Sequence, residues 1–475
     1  MRSLIQSAFV SDSKIFDCVQ HLESKVEKNE FTAWSFANSQ VAVSGFWADE
    51  WTPVSPGEEL HPTFDLASLT KPFFINALLR LKYGVHFYKL LSSPLQEWAE
   101  KLPSTTEYLL LLKHFFQHEG RHLSIDSFLS HKSGAKRWFW MGAALWHQRP
   151  TKYQKNENIS QAKLNLFLLT KPRDEVLFNL TKLSLRSIDT SLREQEIYSD
   201  INYLILSLLY ESNKIDFLGW DKELDFLNRS LNSQFTHASL NPVRAKNSIP
   251  SYKYIALPSY EKKREDEFGV LYDTNANIFA SLIPELKIVS AHAGLVGNII
   301  DITKATCFLQ QNQQDLLVQK DNANLKHSTS RFLFGLDTPS SPNTLAGINH
   351  WSDNLKMKVF GHLGSSGTSF WFHLPDENQE TKKYHCLLTN RVSSRLSCLS
   401  HKVPRLFIFS HLHSNEKIFI RKINNKYEKI KQEEYYENAV EFSNLSHLCW
   451  NKNNIGLSCD ISETRRFIGK NLWQI

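Results

Sequence analysis

A chain of 475 residues with 41% hydrophobic and 12% aromatic content can bury a large core and has room for roughly two or three structural units, which excludes a disordered or fibrous protein. The net charge of +6, from 55 basic and 49 acidic residues, is slight for this length, and no Lys/Arg block of the kind that tracks a phosphate backbone occurs, so no nucleic-acid partner is expected. Six cysteines, at 18, 307, 386, 398, 449 and 459, have no Cys-x-x-Cys spacing and are too few for a disulfide framework, so they read as reduced core thiols.

The N-terminus, Met1 to Val10, lacks a continuous apolar segment, and no stretch reaches the ~20 apolar residues of a membrane span. With Met1 taken as the native start, the expectation is a cytoplasmic protein without a membrane partner. Residues 12–29 carry Ile15, Cys18, Val19, Leu22 and Val26 on one helical face. Phe31–Phe36 and Gln40–Trp47, separated by Ala37-Asn38-Ser39, predict a hairpin. From about 76 to 285 the pattern is mainly helical, strongest over Tyr108–Gln117 and Asn202–Tyr210, with a Pro-punctuated, charged surface loop between about 240 and 270. Strand signals return at Lys356–Phe360, Thr368–Leu374 and His385–Thr389, with Ser365-Ser366-Gly367 as a turn. Beyond 400 come an apolar strand, Arg405–Phe409, a hairpin of Lys417–Ile423 with Lys426–Ile430 around Asn424-Asn425, and a closing helix over Ser462–Leu472. The expected architecture is therefore α/β in the α+β sense. Residues 1–75 and 286–400 form one sheet subdomain, 76–285 a mainly helical insertion, and 401–475 a C-terminal extension.

The stretch Asp65-Leu66-Ala67-Ser68-Leu69-Thr70-Lys71-Pro72 sits at the seam between sheet and insertion. Pro72 suits a first helical turn, so Ser68 lies at a helix start with the Lys71 ammonium stacked beside its hydroxyl three residues on, a nucleophile with a basic partner. Spacing alone carries little, because Ser11/Lys14, Ser133/Lys136, Ser259/Lys262 and Ser414/Lys417 repeat it. Company distinguishes Ser68. Tyr198-Ser199-Asp200 precedes the apolar helix at 202–210; a lysine charge beside Tyr198 is expected to lower its phenol pKa and make it a general base, while the bland alternative has Asp200 as a helix cap. Gly361-His362-Leu363-Gly364-Ser365-Ser366-Gly367 gives a glycine-relieved strand edge whose N–H can join that of the helix-start serine in an oxyanion site, with His362 as a donor to substrate or to Tyr198. Asp273-Thr274-Asn275-Ala276 and Ser290-Ala291-His292-Ala293-Gly294 read as structural transitions.

In that order, Ser68-Leu69-Thr70-Lys71, Tyr198-Ser199-Asp200 and His362-Leu363-Gly364 resemble the three active-site motifs of the serine β-lactamase-related family, which includes class C β-lactamases, DD-peptidases and related esterases. Leu129-Ser130-His131-Lys132-Ser133-Gly134, Asp273–Ala276, His292–Leu295 and Thr389-Asn390-Arg391-Val392 resemble its further landmarks, so the resemblance spans roughly residues 30–395. It implies an antiparallel sheet flanked by helices with an inserted helical subdomain, and acyl transfer through a covalent serine ester. By the same resemblance Lys71 and Tyr198 manage the Ser68 proton, the N–H groups of Ser68 and Ser365 form the oxyanion hole beside Gly364, and Asp200 and His362 orient the substrate and the Lys-Tyr pair. Asp200 stands where the β-lactamases carry Asn, and His362 where they carry a permanently charged Lys, which points away from penicillins and toward an ester, amide or peptide substrate of small size.

A catalytically silent binding module of the same fold is the alternative. A metal hydrolase has only His411-Leu412-His413 or His447-Leu448-Cys449 to build on, and no carboxylate or further histidine cluster completes either, so no metal or other cofactor is expected. The oligomeric state is not encoded in any of these patterns.

Overall fold

The computed structural model describes residues 33–38, 42–46, 63–136, 171–212, 217–240, 288–319, 331–338, 359–374, 384–389, 419–423 and 426–430, with 20, 22, 141, 273, 275 and 276 as isolated positions. The helix expected over 12–29, the 240–270 loop, the 405–409 strand, the closing helix and both His-rich pairs fall almost wholly outside these residues. Among the described residues no helix is long and apolar enough to cross a membrane.

The sheet joins the two ends of the motif-bearing region. Strands β1 (Ala33–Asn38), β2 (Ala42–Phe46), β6 (Phe332–Leu333), β7 (Leu336–Asp337), β8 (Val359–Leu363), β9 (Ser369–His373) and β10 (Tyr384–Thr389) form one antiparallel sheet in the order β2-β1-β10-β9-β8-β7-β6. Register pairs Trp34 with Thr389 and His362 with Phe370. Buried Trp34, Phe36, Phe370, Trp371 and Phe372 include adjacent residues, whose side chains point to opposite faces of a strand, so the sheet is covered on both sides. A small second sheet, β3 (Phe64–Asp65), β5 (Leu295–Gly297) and β4 (Thr236–His237), was too short to leave a sequence signal, yet it pins the entry to Ser68 beside the 288–297 segment. The hairpin β11 (Phe419–Ile423) with β12 (Lys426–Ile430) forms as expected around Asn424-Asn425.

The helices are α1 (Ala77–Tyr83), α2 (Phe87–Ser92), α3 (Leu95–Glu100), α4 (Glu107–Gln117), α5 (Ile125–Leu129), α6 (Arg173–Arg186), α7 (Asp200–Ser212), α8 (Trp220–Leu231) and α9 (Ile299–Gln319). Helix α9 lies across β1, β9 and β10. Its buried Ile299, Ile302, Ala305, Leu309 and Leu316 recur at helical spacing, and the Asn298 side chain caps it by accepting from the N–H groups of Ile300 and Asp301. Helix α7 is buried almost all round, which explains a run of apolar residues without a polar stripe.

The Ser68 segment lies at a helix start, as expected, but that start is irregular: a tight 3-10 turn (Ala67–Leu69) and a brief α-helical step at Thr70 and Lys71 lead into wide π turns (Pro72–Asn76), and the regular helix α1 begins at Ala77. The wide turns place the Asn76 amide on the Phe334 carbonyl (3.2 Å), where Arg80 also donates (2.9 Å). That carbonyl belongs to the tight β6–β7 turn, in which both Phe334 and Gly335 have positive φ.

His237 links the small sheet to this core. It stacks on Phe74 (5.2 Å between centroids), its Nδ1 accepts from the Ser239 N–H and its Nε2–H donates to the Ser290 carbonyl. Burial lowers its pKa from 6.5 to about 4. Below pH 6.5 the unfolded chain takes up a proton that the folded chain refuses until about pH 4, so stability should fall across that window by about 3 kcal/mol and then level off. Chemical denaturation of wild type and His237→Gln at stepped pH checks this; equal slopes for the two proteins between those limits would contradict it.

Candidate active site

Ser68, Lys71, Tyr198 and Asp200 converge from two remote segments. The Tyr198 hydroxyl donates to Ser68 Oγ (2.8 Å), Lys71 Nζ donates to the same oxygen (3.1 Å), and Lys71 Nζ lies 2.8 Å from Asp200 Oδ1. A third Lys71 N–H reaches the His292 carbonyl at 3.1 Å. The ammonium also sits 4.9 Å from the ring centroid of Tyr198 and 5.6 Å from that of Tyr203, aromatic partners that favour a cation. Its side chain is 0% exposed.

The backbone is shaped for this. Ala67 adopts a left-handed φ of 46°, unusual for a residue with a Cβ, and Asp65 Oδ1 holds it by accepting the Ala67 N–H (2.9 Å). Leu66 N–H donates to the Leu295 carbonyl (3.0 Å), and the Leu295 N–H returns to Thr70 Oγ1 (3.1 Å), so both sides of the nucleophile's turn are stitched to β5. Ser199 Oγ accepts from the Ile201 N–H (3.3 Å) at the entrance of α7. The cap role weighed for Asp200 thus goes to Ser199, and the Asp200 carboxylate turns to Lys71.

Electrostatics follow from burial and pairing. Burial works against the Lys71 ammonium, but Asp200 and then Tyr198 outweigh it, and the pKa lies above that of an ordinary lysine. For Tyr198 the outcome reverses the expectation: burial raises its pKa, Lys71 opposes this and Asp200 adds to it, so the phenol is held up rather than lowered. The sequence names the neighbouring charge but does not show how dry the site is.

His362 lies on β8 with its ring centroid 6.2 Å from that of Tyr198, and its Nδ1–H donates to the Leu363 carbonyl (2.9 Å). The turn after it is seated on the nucleophile's own strand. Ser366 Oγ donates to the Asp65 carbonyl (2.7 Å) and Thr368 Oγ1 to the Leu66 carbonyl (3.2 Å), while Ser365 at the turn's tip is exposed. Gly364 is required by close approach, since a Cβ there would meet Thr368 Oγ1 at 2.1 Å and the Leu66 carbonyl oxygen at 2.8 Å.

Two segments read as structural in the sequence belong to this site. Asp273 Oδ1 accepts from His292 Nε2 (3.1 Å) and from the Ala276 N–H (2.8 Å), and the Ser290 hydroxyl meets His292 Nδ1. Burial works against the Asp273 carboxylate, but His292, the Ala276 N–H and Lys71 hold its pKa down at about 2. His131 forms a second buttress: its Nδ1 accepts from the Ser199 N–H (3.2 Å) and the Asn202 amide (3.1 Å), and its ring lies 4.5 Å from that of Tyr198. Burial first, then Lys71, His362 and Arg331, push His131 well below the usual histidine range. The signal that pointed to all three was their place in the ordered motif set, not their local pattern.

Among the described residues, Asp200, Asp273 and His292 bring potential metal-binding atoms within 4.8 Å of one another. The Lys71 ammonium already lies on Asp200, so the cluster is occupied by a cation of the chain's own.

Overpacking the β8–β9 turn should loosen this assembly. Gly364→Ala is expected to destabilise the protein by about 1–3 kcal/mol, read as a lowered midpoint of thermal unfolding. An unchanged midpoint would show that the turn does not bear on the Leu66 backbone.

No family model matches the sequence, and no curated protein matches it. Among solved structures it is similar to EstCE1, described as a hydrolase with promiscuous acyltransferase activity, at 13% identity over 85% of this chain and 100% of that chain, with a TM-score of 0.51. The D-amino acid amidase of Ochrobactrum anthropi SV3, in complex with L-phenylalanine amide, overlaps it at 15% identity over 84% of this chain and 98% of that chain, with a TM-score of 0.47. The octameric penicillin-binding protein homologue of Pyrococcus abyssi overlaps at 14% identity over 83% of this chain and 76% of that chain, with a TM-score of 0.48. With the sheet order and the first comparison together, the chain has the helix-flanked antiparallel-sheet fold of the serine β-lactamase-related proteins.

Proposed function

We propose that this protein is a serine hydrolase that works through an acyl-enzyme on Ser68. The observation that carries the reading is the Ser68 oxygen itself, which accepts from both Lys71 and Tyr198 at 3.1 and 2.8 Å in a half-buried setting. An isolated core serine has no need of a lysine and a tyrosine on one lone-pair side. In the proposed reaction Ser68 Oγ attacks an acyl carbon and its proton passes to the Lys71 side. The backbone N–H groups of Ser68 and Ser365 stabilise the oxyanion. Tyr198, whose raised pKa keeps it protonated, donates to the leaving group and afterwards orients the hydrolytic water.

The substrate class follows from charge. Asp200 adds a carboxylate beside the nucleophile, and the His362 Nδ1–H is directed to its own strand's Leu363 carbonyl, so the third motif provides no fixed cation for a substrate carboxylate. A small ester, amide or peptide fits this site better than a penicillin. EstCE1, described as a hydrolase with promiscuous acyltransferase activity, is consistent with acyl transfer on the same fold.

A fluorophosphonate probe should label wild type and leave Ser68→Ala unlabelled, and intact-mass analysis over esters, D-amino-acid amides and β-lactams should show acylation by the first two groups. Failure of wild type and Ser68→Ala alike would favour a silent binding module, and acylation by β-lactams alone would overturn the substrate assignment. Tyr198→Phe should lower turnover of amides by about 10²–10⁴-fold, and should slow activated esters less, because a phenolate-type leaving group needs no proton. Equal losses for both substrates would count against Tyr198 as the donor.

A further inference from the structure

Lys71 Nζ has the Ser68 hydroxyl at 3.1 Å, the His292 carbonyl at 3.1 Å and the Asp200 carboxylate at 2.8 Å as close acceptors, and it also hydrogen-bonds with the Tyr198 hydroxyl. A hydroxyl and an amide carbonyl are too weakly basic to keep a proton; a carboxylate is not. Lys71 cannot itself take the Ser68 proton while it is charged, because an ammonium has no lone pair. Tyr198 touches both Ser68 and Lys71, but burial raises its pKa and keeps the phenol protonated, with its hydrogen given to the Ser68 oxygen, so it is not a resting-state base either.

We propose that Asp200 is the terminal acceptor of the Ser68 proton, with Lys71 as the relay between them. The inference rests on the Ser68 acyl-transfer reading and deepens it. In the first step an Nζ–H bond of Lys71 breaks and an Oδ1–H bond forms on Asp200, which leaves a neutral amine beside a neutral acid. As Ser68 Oγ bonds to the electrophilic centre, its O–H bond breaks and the proton fills the Nζ lone pair. Lys71 is again an ammonium, Asp200 is neutral, and the negative charge that began on Asp200 resides on the oxyanion. Burial lowers the cost of the first step, because neutralising two charges in a dry site removes the desolvation cost that both carry there, against the attraction to Asp200 and Tyr198 that otherwise keeps Lys71 protonated.

The charged and titratable groups facing this relay do not replace Asp200. Tyr198 and Tyr203 come from the start of α7, and burial raises the pKa of both. His131, after α5, has its Nδ1 committed to the Ser199 N–H and the Asn202 amide. Asp273 holds His292 and the Ala276 N–H, and Arg331 ahead of β6 grips Asp337 with two hydrogen bonds of 3.1 and 3.0 Å. His362 on β8 donates from Nδ1 to the Leu363 carbonyl. The relay therefore assigns Asp200 a different task from the Asn that β-lactamases of this type carry there: an amide can orient the lysine but cannot take its proton.

The rate of Ser68 phosphonylation by a fluorophosphonate, measured in H₂O/D₂O mixtures, tests this without knowledge of the substrate, because that attack also requires loss of the Ser68 proton. Wild type should show a curved dependence on deuterium fraction, the sign of two protons in motion. Asp200→Asn should react about 10²-fold more slowly at neutral pH, with a linear dependence. Its rate should then rise with pH as Lys71 itself deprotonates, since the amide removes the charge that holds Lys71 up and leaves burial, which lowers it. Asp200→Glu should restore the curvature. A linear dependence in wild type, or an Asp200→Asn protein with the wild-type rate and pH profile, would overturn the relay, and the wild-type measurement decides even if the variants do not fold. Absence of labelling in wild type is a different result, which would remove the Ser68 reading beneath it.

Discussion

A buried ammonium needs compensation, and around Lys71 that need organises the site. An isolated charge in a dry interior is costly enough that the group ordinarily neutralises instead. Here the cation is retained because Asp200, the His292 carbonyl and Ser68 arrive together from positions spread over more than two hundred residues of the chain. Removing one partner of such a buried pair typically costs about 3–5 kcal/mol, so the local structure around Lys71 depends on all of its partners being in place. Segments that look unrelated in sequence are held to tight tolerances by a single nitrogen atom.

The scaffold delivers those tolerances by stitching short pieces of backbone rather than by long regular elements. Leu66 is tied to Leu295 and, through Thr368, to the turn beyond β8, while Asp65 is tied to Ser366. Ala67 is thereby kept in a conformation it does not favour on its own, with its N–H given to Asp65. The cost of a left-handed non-glycine residue, about 1–3 kcal/mol, is sustained by connections on both sides. Behind this turn, Asn76 and Arg80 grip the Phe334 carbonyl, which connects the nucleophile's helix to the β6–β7 edge of the sheet. Ser68 thus sits where two sheets and a helix meet.

Much of this was legible in the sequence, for physical reasons that also explain the failures. Alternation and β-branched or aromatic content located β1, β9 and β10, and apolar density located α4 and α7, because those signals report burial directly. The order of the three motifs located the site because each has the chemistry its place requires. What remained hidden depends on distance through space. The β6–β7 turn places Phe334, not a typical turn residue, at positive φ, and only the Asn76 and Arg80 hydrogen bonds explain why it stays there. Asp273 and His292 looked like loop residues because their partner, Lys71, is more than two hundred positions away. The direction of the Tyr198 shift was misjudged because a sequence shows which charge is nearby but not how little water is.

The exchange of Asn for Asp at position 200 joins these threads. A helix entrance needs an acceptor for its early N–H groups, and Asp is well suited to that task, yet here the neighbouring Ser199 supplies it to Ile201. Asp200 is consequently free of the local demand and can satisfy a distant one, the charge of Lys71. The same step that balances the buried cation makes it a poorer base by raising its pKa. A site built this way holds a buried ion pair in place of a free lysine base. In the proposed mechanism, proton acceptance is then the property not of a residue in contact with Ser68 but of one a relay away. Position 200 thus balances the buried charge and, on that proposal, receives the proton when Ser68 reacts.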